Sequence, residues 1–147
     1  MNNSKTIFIN TAAKLGELVN TLSKEAEIAV DTESNGLFAY QEQVCLIQVS
    51  IPGKDYIIDP LAIKDMSLLA PIFADPKILK ILHAAEYDVI CLKRDFGYQI
   101  NNLFDTMLAS RVLGIRTLGL GKILEERFKV RVQKKYQRAD WGKRPLP

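Results

Sequence analysis

Two carboxylates one residue apart, Asp31 and Glu33, close the apolar run Ile28-Ala29-Val30. In an extended strand, residues i and i+2 point to the same face. The two acids therefore stand side by side at the end of a buried strand. Like charges that close repel each other and lose water, and a cation between them removes both costs. A solvated strand end has the same look, so the pair alone says little. Asp88 is a third acid, three residues after Ala85 and four before Leu92. That spacing puts it on the apolar stripe of a predicted helix, where an ionised carboxylate needs a partner. Lys93 and Arg94 fall nearer the opposite face, so Asp88 is read as aimed at Asp31 and Glu33. Three acids without a His or Cys cluster favour a hard cation, Mg²⁺ or Mn²⁺, over zinc. His83, the only histidine, reads first as a tie between a strand end and a helix start.

The elements that must position these groups follow from periodicity and turn chemistry. Strands are predicted over 5–9, 28–33, 44–51, 55–58 and 77–82. Ser34-Asn35-Gly36 and Pro52-Gly53 are turns, so 28–33, 44–51 and 55–58 form a meander. Helices are predicted over 11–26, with Thr11 as N-cap, and over 67–73, 84–96, 101–113 and 119–128. In the last, Leu120, Ile123, Leu124 and Phe128 face inward. The pattern is α/β with a mixed central sheet flanked by helices. The 147 residues make one domain.

Composition narrows the function. An apolar content of 48% and a charged content of 25% are ordinary for a soluble protein. No apolar run reaches the length of a membrane helix, and the start of the chain lacks a signal-peptide core. Cys45 and Cys91 sit in apolar segments, as reduced thiols of a cytoplasmic protein do. Residues 1–110 hold 9 Lys/Arg against 14 Asp/Glu, whereas 111–147 hold 11 against 3. A basic tail beside an acidic body suits a polyanion held next to a metal site, or else a solvated helical face. Lys134, Lys135, Arg138 and Arg144 surround Tyr136 and Trp141, a mixture that suits single-strand binding or an exposed loop that packs Trp141 on the core. Gly119-Leu120-Gly121 follows no strand and lacks a phosphate-loop pattern, and no serine lies in G-x-S-x-G.

These motifs, in order and spacing, resemble the DEDD-type 3′–5′ exonucleases, in the ribonuclease D and exosome-exonuclease branch. The first motif is Asp31-Thr32-Glu33, with Tyr40 and Val44-Cys45-Leu46-Ile47-Gln48-Val49 behind it. The second is His83-Ala84-Ala85-Glu86-Tyr87-Asp88, followed by Leu92-Lys93-Arg94-Asp95-Phe96-Gly97. Phe104-Asp105-Thr106, Gly119-Leu120, Tyr136-Gln137-Arg138-Ala139-Asp140-Trp141 and Arg144-Pro145-Leu146 complete the match.

The resemblance implies a ribonuclease H-like fold and hydrolysis of single-stranded RNA or DNA from the 3′ end to nucleoside monophosphates. It implies two divalent cations, Mg²⁺ or Mn²⁺, on Asp31, Glu33 and Asp88. Asp31 would bridge both ions, Glu33 would serve the ion that activates water, and Asp88 the ion facing the leaving group. Leu37 matches an apolar wedge position in relatives or is a turn leucine; Phe38 and Tyr40 stack on bases or pack. With His83 and the basic tail, these are the candidate nucleic-acid contacts. The family's third motif, a helix with Tyr-x-x-x-Asp after Arg-Pro-Leu, lies past Pro147, where this sequence stops. The expectation is a domain incomplete at its C-terminus, lacking that helix and almost inert. The alternative is a nuclease-like module that binds nucleic acid without cutting it. Asp105 is expected to cap a helix rather than replace the fourth acid.

Overall fold

Gly53 takes a left-handed φ of 78°, a conformation that side chains resist, and turns β3 (Val44–Ile51) directly into β4 (Lys54–Ile58). On the other side of β3, β2 (Glu27–Ser34) pairs antiparallel, with Asp31 opposite Gln48 and Glu33 opposite Leu46. The meander is as the turn residues predict. The computed structural model describes residues 5–133 and 135–146. In it β1 (Lys5–Ile9) joins β4 in parallel, β5 (Leu79–Leu82) joins β2 in parallel, and β6 (Leu103–Asp105) joins β5 in parallel. The order across the mixed six-stranded sheet is β1-β4-β3-β2-β5-β6.

Parallel neighbours require crossovers, and helices supply them. Thr11 accepts a hydrogen bond from the Lys14 amide at 3.3 Å and starts α1 (Ala12–Leu22), which buries Leu15, Leu18 and Leu22. Between β5 and β6 runs α3 (Glu86–Phe96), closed by Gly97 at φ 69°. Its buried residues are Asp88, Cys91 and Leu92, so Asp88 does lie on the inward stripe. The core joins Leu15, Leu18, Ile28, Ile47, Ile58, Phe73 and Leu92 under one sheet. Cys45 and Cys91 are buried and free. No helix among the described residues is long and apolar enough to cross a membrane.

Four elements differ from expectation. The first helix ends at Leu22 rather than near Ala26, because Ser23 and the two residues after it turn back on its last carbonyls. Residues 67–73 divide into a 3-10 turn, Ser67–Leu69, and the short α2 (Ala70–Ala74). Residues 101–113 are not one helix. Asn102 adopts φ 54°, β6 follows, and Asp105 then caps α4 (Thr106–Val112). Three residues are too few to show a period, so the strand is visible only through its pairing with β5. Finally, α5 (Leu120–Phe128) does not bury its apolar face. Leu120 and Phe128 are 46% and 69% exposed, and no helix among the described residues follows to cover them.

Candidate active site

The end of β2 and the start of α3 bring the three predicted carboxylates into one field. Asp88 is buried, and its Oδ1 accepts from both the Thr32 amide (3.2 Å) and the Thr32 hydroxyl (2.5 Å). Thr32 is the residue between Asp31 and Glu33, so helix and strand are pinned together at the motif itself. Arg94, the alternative partner, is engaged elsewhere. Its guanidinium binds Glu42 at 2.9 Å and Asp95 at 2.6 Å. Asp88 is therefore held against β2.

The acids raise one another's pKa. Glu33 is pushed up to about 7, first by burial, then by the charges of Asp31 and Asp88, with the nearby Trp141 side chain opposing the rise. Asp31 is also raised, by desolvation and by Asp88, although the residue still reaches solvent. Burial raises Asp88 too, with its Thr32 hydrogen bonds opposing. Three oxygen donors that resist ionisation together fit a hard divalent cation. Among the described residues no three such side chains close around one point. The sign of the pH effect follows. Folded pKa values above the unfolded ones make this region's contribution to stability greatest below pH about 4.5 for Glu33 and smaller as pH rises through about 7. Mn²⁺ should therefore raise the melting temperature more at pH 8 than at pH 5.5, where protons compete for the same oxygens. Equal shifts at both pH values would remove these carboxylates from the metal site.

Glu33 opens into a cleft of about 540 Å³, lined also by Leu37, Phe38, Tyr40, Tyr87 and Trp141. Leu37 is 77% exposed and Tyr40 fully so, and Phe38 is more than half exposed. None of the three packs in the core. Tyr136 tilts against Trp141 with ring centroids 6.3 Å apart, and the Lys135 ammonium lies 4.9 Å above the Tyr136 ring. Arg138 is exposed on the same segment. Lys134 lies outside the described residues.

Two candidate contacts take other work. Arg144 is not free for a phosphate: its Nε and Nη2 donate to the two Asp59 oxygens, each at 2.7 Å. His83 Nδ1 lies 2.9 Å from the Thr106 hydroxyl, which itself donates to the Leu82 carbonyl at 3.1 Å. The single hydroxyl proton being used, Nδ1 carries the hydrogen and the ring ties β5 to α4. Asp105 behaves as a cap, accepting from the amides of Met107 and Leu108, and also from Ala84 and Ala85. Asp140 Oδ1 accepts from the Gly142 amide at 3.1 Å. Sequence reasoning missed Thr32, Glu42 and Asp59. Nothing in a sequence marks Thr32 beyond its place between two acids. Glu42, which takes hydrogen bonds from Ser34, Tyr87 and Arg94 at the cleft wall, looked like a loop residue.

Comparison with known proteins agrees with this geometry. Residues 6–147 match a family profile described as 3′–5′ exonuclease. The chain is 38% identical to the exosome complex exonuclease RRP6 of Saccharomyces cerevisiae over 97% of its own length and 20% of that protein. It superposes on the catalytic core of RRP6 from Trypanosoma brucei with a TM-score of 0.93 at 40% identity, covering 99% of this chain and 40% of that one. On Escherichia coli RNase D, an exoribonuclease involved in structured RNA processing, the TM-score is 0.90 at 34% identity, over 97% of this chain and 38% of that one. The chain spans about a sixth to a fifth of the length of the curated relatives it matches. With a profile match over nearly its whole length and these relatives at 34–40% identity, the chain belongs to the 3′–5′ exonuclease family, in its ribonuclease D and exosome-exonuclease branch.

Proposed function

We propose that this domain removes nucleoside monophosphates from the 3′ end of single-stranded RNA, with two divalent cations, Mg²⁺ or Mn²⁺, on Asp31, Glu33 and Asp88. The observation that carries the reading is that Asp88 is pinned to Thr32, the residue between Asp31 and Glu33, while Glu33 opens into a cleft walled by exposed aromatic side chains. Bound cations would supply Lewis acidity, lowering the pKa of the attacking water and steadying the leaving 3′ oxygen. The chain's own groups do the rest. Thr32 fixes Asp88, and Trp141 walls the cleft beside Glu33. Phe38 and Tyr40 offer faces on which terminal bases stack, each stacked base worth about 1–3 kcal/mol, and Leu37 wedges between them. RNA is favoured over DNA by the kinship with ribonuclease D. In a form extended by a helix bearing Tyr-x-x-x-Asp, the domain should release mononucleotides from the 3′ end of a labelled single strand with Mn²⁺, and release should stop in Asp88→Asn. Internal cleavage instead would refute the exonuclease reading.

A second reading, a module that grips nucleic acid without cutting it, draws on the open arrangement of the carboxylates. It requires strand binding to be indifferent to Mn²⁺. Both readings place Lys135 and Arg138 on phosphates. Affinity for a single strand should then fall steeply with salt, and Lys135→Ala/Arg138→Ala should flatten the log–log slope by about 0.7 for each phosphate no longer neutralised. An unchanged slope and affinity would return both residues to the role of a solvated loop.

A further inference from the structure

Residues 139–146 form neither helix nor strand, yet they carry Trp141, which lines the same cleft as Glu33. Their backbone hydrogen bonds are local, Ala139 to Tyr136 and Lys143 to Asp140. Arg144 ties the segment down. All five of its N–H donors are used. Nε and one Nη2 hydrogen meet Asp59 at 2.7 Å, and the other Nη2 hydrogen meets the Cys45 carbonyl of central strand β3 at 3.0 Å. Both Nη1 hydrogens turn back on the segment, to the carbonyls of Trp141 and Lys143 at 2.7 Å. Asp59 is 3% exposed and is itself fixed by the amides of Leu61 (3.0 Å) and Ala62 (3.2 Å). The residue after Trp141 is Gly142, where an added Cβ would stand 3.0 Å from Asn35 Nδ2. Asn35 is buried and accepts from the Gln43 amide at 3.0 Å. The backbone that follows Trp141 is thus held against the body.

We propose that Asp59 and Arg144 form a positioning latch that fixes Trp141 in the wall of the cleft into which Glu33 opens, and so shapes the surroundings of Glu33. The link to metal rests on the nuclease reading; the link to Trp141 does not. A planar guanidinium is needed because only a fork can meet both Asp59 oxygens while also donating to three carbonyls. A point charge cannot, so Arg144→Lys should loosen the segment while leaving net charge and core volume nearly unchanged. Trp141 is the only tryptophan, so its fluorescence reads the latch directly.

The test uses the 147-residue chain and its variants Arg144→Lys, Asp59→Asn, Trp141→Phe and Arg144→Lys/Trp141→Phe, all measured below their melting temperatures. Emission of Arg144→Lys and Asp59→Asn should shift to the red, with acrylamide quenching increased several-fold. Mn²⁺ affinity by calorimetry should fall about 10-fold in Arg144→Lys, the usual cost of losing support behind a ligand. Trp141→Phe should lose a similar factor, and the double variant no more than either single one. Unchanged emission in both Asp59→Asn and Arg144→Lys overturns the latch. So do additive losses in the double variant, or failure of both single variants to fold, since the pair would then serve the core. If the wild type binds no Mn²⁺, the nuclease reading falls, while the emission of Arg144→Lys still decides whether the latch exists.

Discussion

Asp31→Asn should abolish Mn²⁺ binding and reduce mononucleotide release by on the order of 10³-fold or more, the scale on which loss of one electrostatic group costs an active site. The residue is expected to matter most because both other acids are coupled to it. Its charge is the leading electrostatic cause of the rise at Glu33, and Asp88 in turn raises Asp31. Asn keeps the shape and removes the charge. A second, opposite effect follows from the same change. Without metal, removing one of three repelling carboxylates lets Glu33 ionise more easily, so metal-free Asp31→Asn should be more stable than wild type at pH 8. That gain should vanish below pH about 4.5, where Glu33 is protonated in both folded and unfolded chains. Calorimetry with Mn²⁺ gives the first result and thermal melting at two pH values the second. Hydrolysis is assayed both in the 147-residue chain and in the same chain extended by a helix bearing Tyr-x-x-x-Asp. Equal Mn²⁺ binding by wild type and Asp31→Asn would falsify the metal assignment, whichever form cuts RNA.

What the sequence made legible was local, and what it hid was long-range. Asp31 and Glu33 announced themselves because an apolar run ended in two acids, and Asp88 because it broke an apolar stripe. Period and polarity are properties of a few adjacent residues. The meander was equally open to reading, since Pro52-Gly53 leaves the chain little choice. By contrast, β6 has three residues and exists because β5 offers it an edge, with Lys80 opposite Leu103 and Leu82 opposite Asp105. The exposed face of α5 was misread for a related reason: its spacing is that of a buried helix, and spacing does not say whether anything covers it. Arg144 was misread because basic residues near aromatics have the same composition whether they face phosphate or a buried acid. Its partner, Asp59, lies 85 residues away, and no local pattern joins the two.

Asp105→Ala should be among the most damaging single changes outside the three site carboxylates, and its damage should reach Asp88. One carboxylate there takes four backbone N–H groups from two segments. Oδ1 accepts from Met107 (2.8 Å) and Leu108 (3.2 Å), which begins α4, and from Ala84 (3.1 Å), while Oδ2 accepts from Ala85 (2.8 Å). Ala84 holds φ 59°, in the left-handed region that a residue with a side chain enters at a cost. The Asp105 bonds to Ala84 and Ala85 keep the turn from β5 into α3 in that shape, three and four residues before Asp88. Losing a cap costs about 1 kcal/mol, and leaving further donors unpaired adds about 1–3 kcal/mol. At roughly 2–4 °C per kcal/mol for a domain near this size, the melting temperature should drop by about 4–16 °C. The pH dependence runs opposite to that of the site. Burial alone would raise the Asp105 carboxyl, but its four amide hydrogen bonds hold it below the ordinary value. Its contribution is therefore full above the unfolded pKa, near 4, and is lost as pH falls through the depressed folded value. The gap in melting temperature between wild type and Asp105→Ala should be wide at pH 7 and narrow in acid. Asp105→Asn, with one oxygen for four donors, should fall between the two. In Asp105→Ala the turn relaxes and α3 shifts, so Mn²⁺ affinity should fall although no metal ligand has changed. If the variant melts with wild type at pH 7, the carboxylate is not what holds the turn. If it melts early but binds Mn²⁺ with undiminished affinity, α3 is placed by the Thr32–Asp88 contact alone.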